Sequence, residues 1–166
     1  MRLTSSDTAG DEGSTASPDP AQRPERAKWL ALFARATRDE LDDAIARCPD
    51  APQFIWLRAP QTGLVLVQGR VGGSGERFNL GETTVTRCTL RQQDGVVGTG
   101  YVLGRDADRA VRVARLDALM QMPQHRSRLA AGPLTAISRR LAATAAQNDA
   151  DTAASRVEFF TMVREA

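Results

Sequence analysis

The chain has 166 residues, of which 42% are hydrophobic and 25% charged, and its formal net charge is +2. This composition is typical of a globular protein and argues against collagen, wholesale disorder and a disulfide scaffold. One histidine and two cysteines are few for metal-dependent or nucleophilic catalysis, which draws mainly on these residues. The modest charge and the 5% aromatic content disfavour a nucleic-acid-binding surface.

The first 22 residues contain no bulky apolar side chain after Leu3. We therefore predict a disordered acidic tail over 1–22 and a single folded domain over 23–166. Cys48 and Cys88 belong to no C-x-x-C pattern and are typical of reduced, buried thiols. No stretch approaches the roughly 18 apolar residues that cross a bilayer, so the sequence predicts a cytoplasmic protein with no membrane contact.

Two short helices are predicted at the start of the domain. Pro24 suits the first turn of a helix, and the sequence from Thr37 to Glu40 matches a capping box that opens the second helix, which stops before Pro49. The first helix carries an apolar stripe at i, i+3, i+4, i+7 spacing: Trp29, Leu32, Phe33 and Ala36.

The middle of the chain predicts antiparallel strands. Ten of the 13 glycines lie between Gly63 and Gly104 among β-branched runs, which is typical of strands joined by tight turns. The Asp94-Gly95 pair predicts a hairpin, and the short gaps leave no room for crossover helices. We expect strands near 53–59, 63–71, 83–91 and 96–103, and a short one near 76–80.

Helices return after the strands. Asp106 is a candidate N-cap for a helix that runs to Met122 and ends at Pro123, and further helices are predicted over about 133–148 and 151–164. The fold class is therefore α+β, an antiparallel β-meander sheet flanked by N-terminal and C-terminal helices.

A glycine-rich loop is the candidate for binding phosphate. Backbone N–H groups of such loops form anion nests, and arginines nearby neutralise phosphate. The loop is not a P-loop, because no Gly-Lys-Ser/Thr follows, and it is not a dinucleotide fingerprint, because the residues after Gly75 are predicted to form a strand. The alternative is a wide hairpin turn whose glycines supply positive φ. The candidate contacts are Arg70, Gly72, Gly73, Gly75, Arg77 and Arg87.

His125 follows Pro123 with no second metal-ligating residue nearby. A metal site needs several convergent ligands. We interpret His125 as a neutral residue of a surface loop and predict no metal site.

Two segments carry more apolar residues than one helix face holds, the helix from 107 to 122 and the run from 157 to 163. Since one face packs on the sheet, the surplus must be buried elsewhere, and exposed apolar surface of this size marks interfaces. The predicted subunit-interface residues are Leu116, Leu119, Met120, Val157, Phe159, Phe160, Met162 and Val163.

Three segments, taken in order, resemble a known family. The first runs from Thr62 to Arg87 and includes RVGGSGERF at 70–78; the second has GYVLGRD at 100–106 and LDALMQ at 116–121; the third is AASRVEFFTMVR at 153–164. Their order and spacing resemble the PhnG family, the small G subunits of the bacterial carbon–phosphorus lyase core complex. The resemblance covers about residues 26–166, and departs from the family at the acidic tail and at Glu158, where an Asp is commoner.

The resemblance implies an accessory subunit without established catalytic residues. With the H, I and L proteins it would form a synthase in which an alkylphosphonate displaces adenine from ATP, giving α-D-ribose 1-alkylphosphonate 5-triphosphate. The main contact would be the I subunit, with the H and J subunits and the L protein as further partners. ATP would be a substrate of the complex, and the iron–sulfur cluster and S-adenosylmethionine would belong to the J subunit, so this chain alone would hold no cofactor.

A second hypothesis comes from the residues alone. A stand-alone enzyme would hold a phosphorylated metabolite with the glycine-rich loop and Arg70, Arg77 and Arg87. Such a protein would bind and turn over ATP or a phosphonate without partners.

Overall fold

An antiparallel sheet with helices against one face forms the fold, which confirms the predicted α+β class. The computed structural model describes residues 23–93 and 95–155. The helices are α1 (Arg23–Phe33), α2 (Arg38–Ala46), α3 (Ala107–Gln121), α4 (Pro123–Leu129) and α5 (Thr135–Ala154); the strands are β1 (Phe54–Arg70), β2 (Arg77–Gln92) and β3 (Val97–Leu103). A 3-10 turn, Val71–Gly73, follows β1, and a π-helical turn, Ala130–Leu134, joins α4 to α5.

The strands follow the order β1-β2-β3, and each neighbouring pair is antiparallel, so the predicted meander is confirmed. The prediction of separate strands at 53–59 and 63–71, and at 76–80 and 83–91, is wrong. β1 is continuous because the register shifts between Arg58 and Gln61 and so passes Pro60, which has no N–H to donate to a ladder. β2 is also continuous, because a second register shift, opposite Val67 and Gln68, forms a bulge and the two strands stay paired on both sides of it.

Two of the predicted helix starts, at Thr37 and at Asp106, are confirmed by their caps. The Thr37 hydroxyl accepts from the backbone N–H of Glu40, whose carboxylate accepts from the Thr37 N–H at 2.8 Å. The Asp106 carboxylate accepts from the N–H of Arg109 at 2.9 Å. These bonds satisfy N–H groups that the first turn of a helix leaves unpaired.

α3 lies directly on the sheet because β3 presents glycines to it. A Cβ atom at Gly98 would overlap the carbonyl oxygen of Ala114, and one at Gly100 would overlap that of Ala110. Glycine therefore sets how closely the helix approaches the strand.

The opposite side of α3 is covered by the chain's own helices, which corrects the inference that this side must pack on another subunit. Leu116 and Leu119 are fully buried and Met120 is 3% exposed. They belong to one core cluster with residues of α1, α2 and α4, among them Phe33 and Leu41. The apolar surplus of α3 reflects a position between sheet and helices, where a helix is buried on two sides.

The region after Pro123 differs most from prediction. Pro123 occupies the start of α4, where a missing N–H costs nothing, and His125 is only 1% exposed, so its interpretation as a surface loop residue is wrong. α5 continues through residue 148 without the predicted break and ends at Ala154. No helix in the described ranges is long and apolar enough to span a bilayer.

Candidate functional site

The β1–β2 hairpin extends well past the third strand. β3 pairs with β2 only from Val85 to Arg91, whereas β1 and β2 continue to pair as far as Arg70 and Arg77. We call residues 64–84 the hairpin arm. Its seven β1 residues, 64–70, carry it about 24 Å past β3 at about 3.4 Å per residue. A ribbon of two strands is marginally stable in water on its own.

The helix-facing side of the sheet continues onto the arm as an uncovered apolar surface. Thr86 and Cys88 of β2 are buried beneath the helices, and strand alternation places Thr84 on the same side. Leu64 lies opposite Thr84, and Leu66 lies two residues further along β1. Both leucines are 62% exposed. The arm therefore extends the core-facing side beyond the helices that would cover it.

The other side of the arm is also apolar. Val65 and Val67 alternate with the two leucines, and Val67 is 38% exposed. On β2, Phe78 and Leu80 are 44% and 61% exposed. A strand that is apolar on both faces is typical of strands buried on both faces. Within the described ranges nothing covers these side chains, so the arm has the composition of an interior strand at a surface position.

Two arginines face each other at the tip of the arm. Arg70 and Arg77 are direct cross-strand partners, and an Nη1 N–H of Arg70 donates to the Gly75 carbonyl oxygen at 3.0 Å. Neither guanidinium forms an ion pair with an acidic residue in the described part of the chain. Both line an open depression of about 520 Å³ together with Gln68, Gly69 and Gly73.

The loop itself is a hairpin turn, as the alternative interpretation predicts. Gly72 and Gly73 have φ values of 58° and 81°, in the left-handed region that favours glycine. Gly75 donates its N–H to the Val71 carbonyl oxygen at 2.8 Å, and a Cβ there would lie 2.7 Å from that oxygen. All three glycines make the turn, and Gly72 and Gly73, where a Cβ atom would meet nothing within 4 Å, also leave their backbone open to a ligand.

Arg87 does not belong to the tip. It lies ten residues from Arg77 on a continuous strand, opposite Gln61 of β1 and Tyr101 of β3. That separation is about 34 Å at strand spacing. The predicted set of six phosphate contacts is thus divided: Arg70, Arg77 and the three glycines are close together, and Arg87 lies apart from them.

The predicted interface residues fall into two groups. Leu116, Leu119 and Met120 lie in the core, as described above. The other five, Val157, Phe159, Phe160, Met162 and Val163, lie outside the described residues.

A buried carboxylate that the sequence analysis missed organises the body of the fold. The side chain of Asp117 has no exposed surface, and its two oxygens accept from the Arg26 guanidinium, the indole N–H of Trp29 at 2.9 Å and the backbone N–H of Thr99 at 2.8 Å. α1, α3 and β3 meet at this group. Its role is structural, because all of its partners are elements of the fold.

Other carboxylates also join helices. Glu40 of α2 accepts from Arg140 of α5 at 2.6 and 2.8 Å, and this hydrogen bond holds the pKa of Glu40 below its usual value. Asp42 of α2 accepts from Arg112 of α3, which lowers the pKa of that carboxyl in the same way. These acids are already engaged in ion pairs that hold the helices together.

The two cysteines are buried, free thiols, as the sequence predicts. Burial raises the pKa of both, that of Cys88 to about 11. An iron–sulfur cluster needs several accessible thiolates, and these two thiols do not fit one. Across 23–93 and 95–155, no three His, Cys, Asp or Glu side chains are grouped as metal ligands would be.

Comparisons with known proteins agree with each other. Residues 24–165 match the family described as phosphonate metabolism protein PhnG. A relative from Rhizobium meliloti (strain 1021), the alpha-D-ribose 1-methylphosphonate 5-triphosphate synthase subunit PhnG, is 44% identical over 146 residues, which is 88% of this chain and 93% of the relative. The family match includes the hairpin arm and most of the C-terminal segment.

Proposed function

Because the chain belongs to the PhnG family of phosphonate metabolism proteins, we propose that it is an accessory subunit of a ribose 1-alkylphosphonate 5-triphosphate synthase. In this function the complex replaces the adenine of ATP by an alkylphosphonate and releases adenine. The chain acts with the H, I and L proteins and contacts the J subunit in the same assembly, in the cytoplasm.

The hairpin arm is the observation that carries this proposal. A subunit needs a surface that its partners cover, and the arm exposes Leu64 and Leu66 on one side and Val67 on the other. Contiguous exposed apolar surface is typical of interaction sites. The I subunit is the proposed main partner, and it covers both faces of the arm. The proposed docking surface is therefore the arm and not the helix α3. The segment with Phe159 and Phe160 remains a second candidate.

The reactive cofactors are assigned to other subunits. ATP is a substrate of the complex, and the iron–sulfur cluster and S-adenosylmethionine belong to the J subunit. The buried thiols of Cys48 and Cys88 support this assignment, because burial disfavours the thiolate that a cluster binds.

The hypothesis of a stand-alone enzyme has less support. It needs Arg70, Arg77 and Arg87 around one ligand, and Arg87 lies about 34 Å along β2 from Arg77, the cross-strand partner of Arg70. Acids that could serve in catalysis, such as Glu40 and Asp117, are engaged with arginines that join elements of the fold.

The docking proposal is tested by co-expressing the tagged chain with the other subunits and measuring their recovery on the tag. Leu64→Asp with Leu66→Asp places two charges on the helix-facing side of the arm and should reduce recovery of the I subunit at least tenfold. Gln61→Asp is the matched control, an exposed polar position on the same strand, and should leave recovery unchanged.

Circular dichroism and urea unfolding of the double variant separate docking from folding, since substitutions at exposed positions cost little stability. Normal recovery of the I subunit with a folded double variant would overturn the docking role of the arm. The pair Phe159→Asp and Phe160→Asp tests the second surface in the same assay. Failure of the unmodified chain to recover any partner would overturn the function itself.

A further inference from the structure

The tip of the hairpin arm carries a charge arrangement that the chain itself does not balance. Arg70 and Arg77 are directly opposite each other across the ladder, and like charges in that position destabilise a hairpin. Glu76 lies in the same turn and Glu82 lower on the arm, yet neither forms an ion pair with these arginines. The arrangement costs free energy in the isolated chain, and a bound anion would remove that cost.

The spacing of the two arginines suits an anion with several charges. Directly opposite residues in an antiparallel pair have Cα atoms about 4.5–5.5 Å apart, so the two guanidinium groups reach neighbouring points in space. Each guanidinium presents five N–H donors in a fork that matches two oxygens of a phosphate. Arg70 uses one N–H on the Gly75 carbonyl, which orients the group and leaves its other donors available.

The lining of the depression favours a compact phosphate over a protein carboxylate. Gly73 contributes backbone with open space around it, since a Cβ atom there would meet nothing within 4 Å, and such backbone permits an anion to approach N–H groups closely. The depression, of about 520 Å³, is open to solvent and has both arginines in its lining. A chain of linked phosphates fits these features, because adjacent phosphates pair with adjacent guanidinium groups.

We infer that the tip of the arm binds a polyphosphate chain, with Arg70 and Arg77 each pairing with a different phosphate. The source of that chain, the triphosphate of ATP or of the ribose product, rests on the proposed function. The anion site itself rests on the tip residues. In the assembled complex, the arm would then carry a positioning group from this subunit to a substrate held mainly by its partners.

The test is isothermal titration calorimetry with inorganic tripolyphosphate, on the full chain alone and on the co-purified complex. Arg70→Gln and Arg77→Gln should each weaken binding about tenfold, and the pair about a hundredfold, as expected for charge-assisted hydrogen bonds. The control pair, Arg58→Gln with Arg91→Gln, removes the same charge from exposed positions at the base of the sheet and should change affinity less than twofold.

Three competitors identify the ligand class. ATP should displace tripolyphosphate and adenosine should not, whereas a pentaglutamate peptide should bind at least tenfold more weakly. Equal binding of that peptide would overturn the assignment to phosphate in favour of an acidic protein partner. A titration of tripolyphosphate that does not saturate would overturn the site. An equal loss of affinity in the double variant of the tip arginines and in the control double variant would overturn it as well.

The outcomes for this site and for the proposed function are separable. Loss of tripolyphosphate binding by the tip variants, with normal recovery of partner subunits, supports the site whether or not the arm docks. Normal binding by the tip variants overturns the site and leaves subunit recovery, and with it the proposed function, unaffected.

Discussion

The guanidinium of Arg26 donates two hydrogen bonds to the carboxylate of Asp117, from Nε at 3.1 Å and from Nη2 at 2.6 Å, between residues 91 positions apart. The same carboxylate accepts from Trp29 and from the backbone of Thr99. A charge taken out of water is tolerated only when its hydrogen bonds are made. The junction of α1, α3 and β3 therefore depends on one buried acid.

Asp117→Asn should lower the free energy of unfolding by about 3 kcal/mol, because removing one partner of a buried ion pair leaves the other charge uncompensated. Urea unfolding followed by tryptophan fluorescence measures this directly, since Trp29 bonds to the same group. Asp108→Asn, in an exposed pair with Arg38, is the control and should cost less than about 1 kcal/mol. Similar losses of unfolding free energy in both variants would contradict the structural role assigned to Asp117.

Gly98→Ala and Gly100→Ala should each destabilise the fold by about 3 kcal/mol, because the new methyl group would overlap the backbone of α3 and force it off the sheet. Gly63→Ala is the matched control on β1 of the same sheet, where a Cβ meets nothing within 4 Å. Thermal melts of the three variants measure the difference. A melt of Gly100→Ala indistinguishable from that of Gly63→Ala would show that α3 does not lie on β3 as described.

Native Cys88 should react very slowly with a disulfide reagent. Burial raises its pKa from an ordinary value of 9.0 to about 11, so at about pH 8 its thiolate fraction is about a hundredfold lower than that of an exposed thiol. A Cys48→Ser variant isolates the Cys88 signal. Reaction with the folded variant should be at least a hundredfold slower than with the urea-unfolded variant, and comparable rates would contradict the burial of this thiol.

The contribution of Glu40 to stability should depend on pH. Its hydrogen bond with Arg140 holds its folded-state pKa below the ordinary 4.5, so the stabilisation is fully present above about 4.5 and is lost as the pH falls through the lower, folded value. Glu40→Gln should therefore be less stable than the natural chain at about pH 7, and this difference should shrink below about pH 4.5.

Urea titrations at several pH values measure that difference for Glu40→Gln and for Glu25→Gln. Glu25 belongs to an exposed pair with Lys28 and is the control, for which little difference is expected at any pH. A difference for Glu40→Gln that is independent of pH would exclude the ion pair as its origin.

The parts of the fold that sequence predicts well are those set by local chemistry. The capping box at Thr37 and the N-cap at Asp106 act within one turn of chain, and the glycines of the 72–75 turn act within one hairpin. The errors concern distant partners. The burial of His125 depends on how α4 packs, and the continuity of β1 past Pro60 depends on the register with β2.

In the candidate site, too, sequence predicts the local part and not the part that depends on distant partners. Arg70 and Arg77 flank one turn, so their proximity follows from the hairpin, whereas the position of Arg87 depends on β2 continuing without a break through Gly81. The uncovered arm had a signal in the sequence, the apolar run from Leu64 to Val67. Its exposure arises because β3 has seven residues against 17 in β1, and that mismatch is a property of the whole sheet.

The unequal strands have a further consequence for the protein before it is assembled. Along Phe54–Arg70, the outer edge of β1 has no strand partner in the described chain, and the far side of β2 likewise has none from Arg77 to Thr83. Open edges beside apolar faces are templates for adventitious strand pairing. Until these edges are covered, the chain is therefore open to pairing with other extended strands, including a second copy of its own arm.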